Sequence, residues 1–232
     1  MWMEGSTSGV YRMWFQHMDI NRIPFYQYNT IIVGTGAAGL NAAVTLHKLG
    51  QKNIALITEG RYMGTSRNTG SDKQTYYKMT QCGSEPDSVR KMAKTLFEGG
   101  CVDGDIAMAE AAGSLRAFYH LVDIGVPFPF NKSGEYVGYK TDHDPLKRGI
   151  SAGPLTSKYM TECLERQAEE RGIPLFDGYQ AVRLLTEEKD GEKRAAGIIA
   201  LNKQKAASPD ERYAVFSAVN IIWATGGEAG MY

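Results

Sequence analysis

Thr30-Ile-Ile-Val-Gly-Thr-Gly-Ala-Ala-Gly-Leu40 is the stretch that decides the fold. A β-branched run, apolar on both faces, enters a Gly-x-Gly-x-x-Gly turn. Residues 40–49 then place Leu40, Ala43, Val44, Leu46 and Leu49 at helical spacing. Such a strand suits the middle of a parallel sheet, covered on both faces. Gly50 closes the helix, and Asn53-Ile-Ala-Leu-Ile-Thr58 is a second buried strand running into Glu59,. Together they make one β-α-β unit. Gly34 permits the turn off the strand, Gly36 lets a pyrophosphate approach the backbone, and Gly39 lets the helix lie close to the strand,. The helix N-terminus offers N–H groups and the positive end of its dipole to phosphates. Glu59 follows the last glycine by about 20 residues, where an acid accepts hydrogen bonds from a ribose diol and repels a 2′-phosphate. Glycines that only made a tight turn would leave the strand, helix and acid around them a coincidence.

Bulk properties bound the rest. The chain has 232 residues, 43% hydrophobic and 22% charged, as in an ordinary globular protein of one large or two small domains,. Basic and acidic residues number 26 each, so no charge imbalance argues for a nucleic acid or anionic membrane partner,. No apolar run reaches the roughly 18 residues of a membrane span, and no secretory signal opens the chain. Cys82, Cys101 and Cys163 lack the spacing of a disulfide framework, a zinc site or a redox pair,. A cytoplasmic location is expected. Residues 1–28 form an aromatic-rich leader (Trp2, Tyr11, Trp14, Phe15, Phe25, Tyr26, Tyr28) expected to pack over the first strand, and residues 29–232 the main domain,.

Beyond a Gly/Ser/Thr/Asn-rich loop over residues 60–73, helices are predicted at 86–97 and 103–121, the latter opened by Asp103 and Asp105,. Residues 127–141 read as irregular around a Lys132-Ser-Gly134 turn. A helix over 155–171, closed by Gly172, would turn Leu155, Tyr159, Met160, Cys163, Leu164 and Ala168 toward a core,. Strands at 179–186 and 195–202 flank a charged turn marked by Asp190-Gly191,. A third strand covers 212–218, and a last, buried parallel strand begins at Asn220 and ends in Ala224-Thr-Gly-Gly227.

A nicotinamide-dinucleotide domain would continue with repeated β-α units; this chain inserts a meander instead. At this point the sequence resembles flavoproteins of the fumarate reductase and succinate dehydrogenase type, which include aspartate oxidase. The likeness runs from about Tyr28 onward. It rests on Ile31 to Leu40, on Thr58-Glu59-Gly60, on Gly64-Thr-Ser-Arg-Asn-Thr-Gly70 and on Ile221-Ile-Trp-Ala-Thr-Gly-Gly227. It implies an α/β, Rossmann-like FAD-binding fold with a central parallel sheet, helices and an antiparallel β-meander. By position, Gly34, Gly36, Ala37, Ala38 and Gly39 would hold the FAD pyrophosphate, and Glu59 with Gly60 the adenosine ribose. Gly64, Thr65 and Ser66 would lie near the flavin or phosphates. Ala181 would meet adenine through its backbone, and Ala224, Thr225 and Gly226 would pass beside the cofactor. Membrane-bound respiratory members of the family carry a histidine in the loop after the second strand, joined covalently to the flavin. No histidine lies between Gly60 and Arg90 here, so the FAD is expected to be noncovalent. Relatives often end that loop Gly-Gly, whereas Gly70 is followed by Ser71-Asp72.

The resemblance implies hydride transfer between flavin and a small organic substrate, carboxylic acids among the candidates, with a separate electron donor or acceptor. The family's substrate-clamping arginines and histidines follow the Ala-Thr-Gly-Gly motif. The capping domain is therefore expected to be missing from a chain ending at Tyr232, and no catalytic residue is assigned. Two alternatives stay open: a non-catalytic dinucleotide-binding or electron-transfer subunit, and an NAD-dependent dehydrogenase. Thr141-Asp-His-Asp144 reads as a polar loop rather than a metal or acid–base cluster. His17, His47 and His120 are isolated, Lys203 and Lys205 read as a solvated turn, and Tyr76-Tyr77 as packing residues,.

Overall fold

The structure, a computed structural model, describes residues 23–71, 74–82, 85–142 and 144–227. Most of the aromatic leader, His17 included, lies outside the described residues, as does His143. The elements in chain order are β1 (Phe25–Val33), α1 (Ala37–Lys48), β2 (Ile54–Thr58), α2 (Thr65–Asn68), β3 (Tyr76–Tyr77), α3 (Val89–Glu98), α4 (Gly104–Asp123), β4 (Gly149–Ile150), α5 (Thr156–Glu170), β5 (Leu175–Asp177), β6 (Tyr179–Lys189), β7 (Glu192–Asn202), a 3₁₀ turn (Lys203–Lys205) and β8 (Tyr213–Trp223). They divide between two compact units. The first holds the chain up to Thr65 and again from Gln167; the second is Ser66–Arg166.

In the first unit, one six-stranded sheet runs in the order β5-β2-β1-β8-β7-β6. The four strands from β5 to β8 are mutually parallel, while β7 and β6 return antiparallel as the meander. The unbroken apolar runs sit in the centre, as their composition requires: Ile31, Ile32, Ala55, Leu56 and Ile57 are fully buried,. Leu40, Ala43 and Val44 of α1 are equally buried. Gly50, at φ +100, follows the helix and its N–H reaches the His47 carbonyl (3.2 Å), the left-handed stop that glycine makes easy.

β1 begins at Phe25, so Phe25 to Tyr28 belong to the strand and not to a leader over it. The β1–β8 register pairs Tyr28 with Ala218 and next Thr30 with Asn220, skipping Asn29 and Val219. Both strands advance by two there, so the register is kept. The successive amides of Asn29 and Thr30 both donate to the Asn53 carbonyl (3.2 Å each), a bulge that changes side-chain parity,. It lets Tyr26 and Tyr28 join Ile31 and Val33 in one core cluster with Phe216 and Ala218. Tyr26 stacks on Phe216 at 4.9 Å between centroids, and Phe176 meets both rings.

The meander differs from expectation in two places. The charged segment expected as a turn forms strand almost to its tip. Glu187 faces Arg194, Glu188 faces Lys193, and Lys189 faces Glu192, and such opposite charges favour pairing. Only Asp190 (φ +55) and Gly191 (φ +78) turn, both left-handed, as a tight two-residue hairpin needs,. The two strands expected at 212–218 and from Asn220 are one strand, β8, because it pairs along its first half with β7 and along most of its length with β1. Its end is not buried: Val219 is 73% and Trp223 53% exposed.

The second unit is mainly helical. Ser88 caps α3 by accepting from the Lys91 N–H (3.2 Å), and Asp103 caps α4 by accepting from Asp105 and Ile106,. Met92, Ala93, Ala107 and Ala111 pack between those helices. On α5, Cys163 and Leu164 are buried as predicted, but Leu155 is 39% exposed because α5 starts after it, at Thr156. The two-residue β3–β4 pair and three-residue β5 have no counterpart in the sequence prediction. Among the described residues, no helix is long and apolar enough to cross a membrane.

Candidate functional site

The site is built where β1, β2 and β8 end side by side. The Gly34 N–H donates to the Ile57 carbonyl (2.8 Å), and the Ala224 N–H donates to the Val33 carbonyl (2.8 Å). Gly34 adopts φ +110, and a Cβ there would overlap the carbonyl of Ala224 and come within 3.3 Å of the Thr225 nitrogen. A Cβ on Gly39 would overlap the Gly34 carbonyl and touch Ile32 (3.4 Å). The three segments thus meet backbone to backbone, at distances only glycine allows. Gly36 is the N-cap of α1 and accepts from the Leu40 N–H (3.0 Å). It offers no side-chain cap, and the first helical turn, which holds Ala37, Ala38 and Gly39, carries no acid. The dipole end of α1 is therefore not countered by a carboxylate of its own first turn.

Two threonines lock this turn to the next strand. Buried Thr35, between the first two glycines, donates its hydroxyl to Thr58 Oγ1 (3.0 Å) at the end of β2. Thr58 in turn donates to the Gly60 carbonyl and accepts from the Gly60 N–H (both 3.3 Å). Glu59 lies between these anchored residues, exposed, with Lys203 Nζ 2.8 Å from its Oε1. The loop continues with the Arg61 N–H donating to Asp177 (2.8 Å) and the Arg61 side chain paired with Glu169. The backbone on either side of Glu59, the glycine turn and the helix start are thus tied together.

The other predicted residues are placed as follows. Gly64, at φ +94, precedes the single turn α2, in which Thr65 closes the first unit and Ser66 opens the second. The Ser66 carbonyl accepts from Thr161 (3.3 Å). Ala181 lies in β6 opposite Ala200, beside a register shift, and packs on the cluster of Ile31 and Val33. Thr225 and Gly226 (φ +83) follow β8, exposed. Thr35, Thr58 and Lys203 were not singled out from sequence as site residues. A threonine inside the glycine motif was the available hint for the first. Lys203 is 144 residues from Glu59, and its local sequence reads as a solvated turn.

The remaining candidates serve the second unit's core. Asp144 is buried and accepts from the Leu146 N–H (2.7 Å), the Tyr77 hydroxyl and Arg148 (3.4 Å). Arg148, 1% exposed, also donates through Nε and Nη2 to both oxygens of Asp87 (2.9 and 2.7 Å) and through Nη1 to Thr95 (2.9 Å). Burial would raise the Asp87 carboxyl, but these bonds and the Thr80 and Ser88 amides hold it below its usual value. Burial, aided by Asp144, pushes the Tyr77 hydroxyl up to about 12. Burial alone does the same for Tyr76, whose ring packs on Phe118 and Phe128. Among the described residues no group of His, Cys, Asp and Glu could hold a metal ion.

A glycine turn at a helix start, an acid at the next strand end and a third strand end closing on the turn together define a dinucleotide-binding α/β domain. The chain belongs to the FAD-binding domain family, whose model matches residues 29–231. It is 33% identical over 226 residues to the 8-methylmenaquinol:fumarate reductase flavoprotein subunit of Wolinella succinogenes, covering 96% of this chain and 35% of that protein. It is 27% identical over 209 residues to L-aspartate oxidase of Agrobacterium fabrum, covering 88% and 36%. Its fold is shared with E. coli quinol fumarate reductase FrdA at TM-score 0.74 and 21% identity, covering 90% of this chain and 34% of that one. With Mycobacterium smegmatis Sdh1 the TM-score is 0.75 at 18% identity, covering 88% and 35%. The chain spans about a third of the length of the curated relatives it matches.

Proposed function

We propose that this chain is the FAD-holding part of an oxidoreductase acting on a small carboxylic acid, with the flavin bound noncovalently. The observation that carries the proposal is the backbone cradle in which Gly39 closes on Gly34 and Gly34 on Ala224, with Glu59 fixed beside it. In this reading the first turn of α1, Gly36 to Gly39, receives the pyrophosphate on its N–H groups. Glu59 accepts the adenosine ribose hydroxyls, Ala181 faces adenine, and Gly64 to Ser66 and Ala224 to Gly226 flank the rest of the cofactor. The bound flavin supplies hydride transfer at its N5; the chain's own residues bind and orient it. The protein relatives named above, an aspartate oxidase and a fumarate reductase subunit, support a carboxylic acid as substrate. The length those proteins have beyond the matched stretch is where we assign the groups that hold it, and an electron donor or acceptor completes the turnover. Absence of a histidine between Gly60 and Arg90 supports a dissociable flavin. Three free cysteines, Cys82, Cys101 and Cys163, fit a reducing, cytoplasmic setting,.

The test is the visible spectrum of the purified protein before and after acid precipitation. Flavin absorption that moves into the supernatant is expected. Colour retained in the pellet would overturn the noncovalent assignment. A protein that stays colourless with added FAD but binds NAD would overturn the cofactor.

A further inference from the structure

We infer that Lys203 is a positioning residue for the cofactor site: its ammonium holds the Glu59 carboxylate in the orientation that accepts the adenosine ribose. The inference rests on the FAD reading above and adds to it a residue from a distant part of the chain. The pair is close (2.8 Å) and half exposed, with 45% of the Lys203 and 42% of the Glu59 side chain open to solvent. A strand-end carboxylate in that setting has several rotamers and loses entropy when a ligand fixes one of them. A cation anchored elsewhere removes part of that cost beforehand.

Lys203 is so anchored. Its N–H donates to the Gly178 carbonyl (2.8 Å). The preceding Asn202 accepts from the Gln204 N–H (3.1 Å), donates its side-chain amide to the Tyr179 hydroxyl (3.2 Å), and donates its own N–H to the Arg212 carbonyl (2.8 Å). Gly178 turns at φ +82 right after β5, and Asp177 of β5 stands in register with Thr58, the residue before Glu59. The 3₁₀ turn is therefore tied to the strand next to the one that carries Glu59. Lys203 engages Oε1 alone. Oε2 and a second lone pair on Oε1 are left for the two hydroxyls of a ribose diol. Lys205, two residues further, pairs instead with Glu211 and takes no part.

FAD titrations followed by flavin fluorescence, on the wild type, K203M, K203R, E59Q and the double variant, test this. K203M should weaken FAD about 5-fold, the upper range for an exposed pair. K203R should restore most of the loss, and K203M should cost nothing further in the E59Q background, because the lysine acts through the acid. The wild-type advantage should shrink at high salt. Thermal melts identify any variant that folds poorly; K203Q then replaces K203M. Unchanged or tighter FAD binding by K203M, or an equal penalty without Glu59, would overturn the proposal. A wild type that takes up no FAD would instead sink the reading beneath it.

Discussion

Where α1 starts, a single methyl group decides how close helix and strand can come. A side chain at Gly39 would run into the backbone oxygen of Gly34, and one at Gly34 into that of Ala224. Neither obstacle can swing away as a flexible side chain would. Gly39→Ala keeps an allowed helical backbone, so its cost is steric and local: about 2–3 kcal/mol of overpacking. Moving the turn by even part of an ångström also misdirects the N–H groups, so FAD affinity should drop at least about tenfold. Urea denaturation and an FAD titration read the two effects separately, and undiminished affinity would mean the cradle is not the phosphate site. The glycine turn was readable from sequence because motif, strand and helix are contiguous. Its fastening was not: Thr35 and Thr58 are 23 residues apart and Lys203 lies 144 from Glu59. Periodicity and motif spacing carry no information about such pairings.

At the scale of elements, α3 and the segment before α5 depend on one buried arginine. Arg148 and Asp87, each with a side chain 1% exposed, make a two-pronged pair. Removing one member strands the other's charge, so Asp87→Ala should destabilise by about 3–5 kcal/mol in chemical denaturation. The pH dependence follows from the lowered Asp87 value. Folded Asp87 stays ionised further into acid than unfolded Asp87 does, so its contribution is whole above the ordinary carboxyl value of 3.8 and fades as pH falls below it,. The gap between wild type and Asp87→Ala should thus narrow below about pH 4; a gap constant down to pH 2 would contradict this assignment. None of it was legible in Thr141-Asp-His-Asp144, since a polar loop and half of a buried network look the same without the partner. β8 misled differently. Residues 212–218 and the run from Asn220 read as two strands, whereas the register with β1 continues unchanged across Val219. β3, β4 and β5, at two or three residues each, are too short for any period to register.

The six-stranded sheet as a whole gives the cofactor its leverage. Three neighbouring strands, β2, β1 and β8, end at the candidate site, so a ligand seated there bonds to groups that separate only when the sheet comes apart. FAD that binds the folded chain and not the unfolded one must then raise stability by mass action: about 2.7 kcal/mol at a hundred times the dissociation constant. For a chain of this size each kcal/mol moves the midpoint by about 2–4 °C, which puts the expected rise at about 5–11 °C. If Glu59 takes the ribose as proposed, the same melt with E59Q at equal FAD should rise less, with only the pyrophosphate side of the site intact. A Gly39→Ala chain, bound about tenfold more weakly, should keep about half of the wild-type rise or less. An identical rise in all three would place the flavin somewhere other than the ends of β1, β2 and β8. A rise with NAD and none with FAD would leave the cradle as a dinucleotide site but give it to the other cofactor, in which case the meander would no longer mark a flavoprotein.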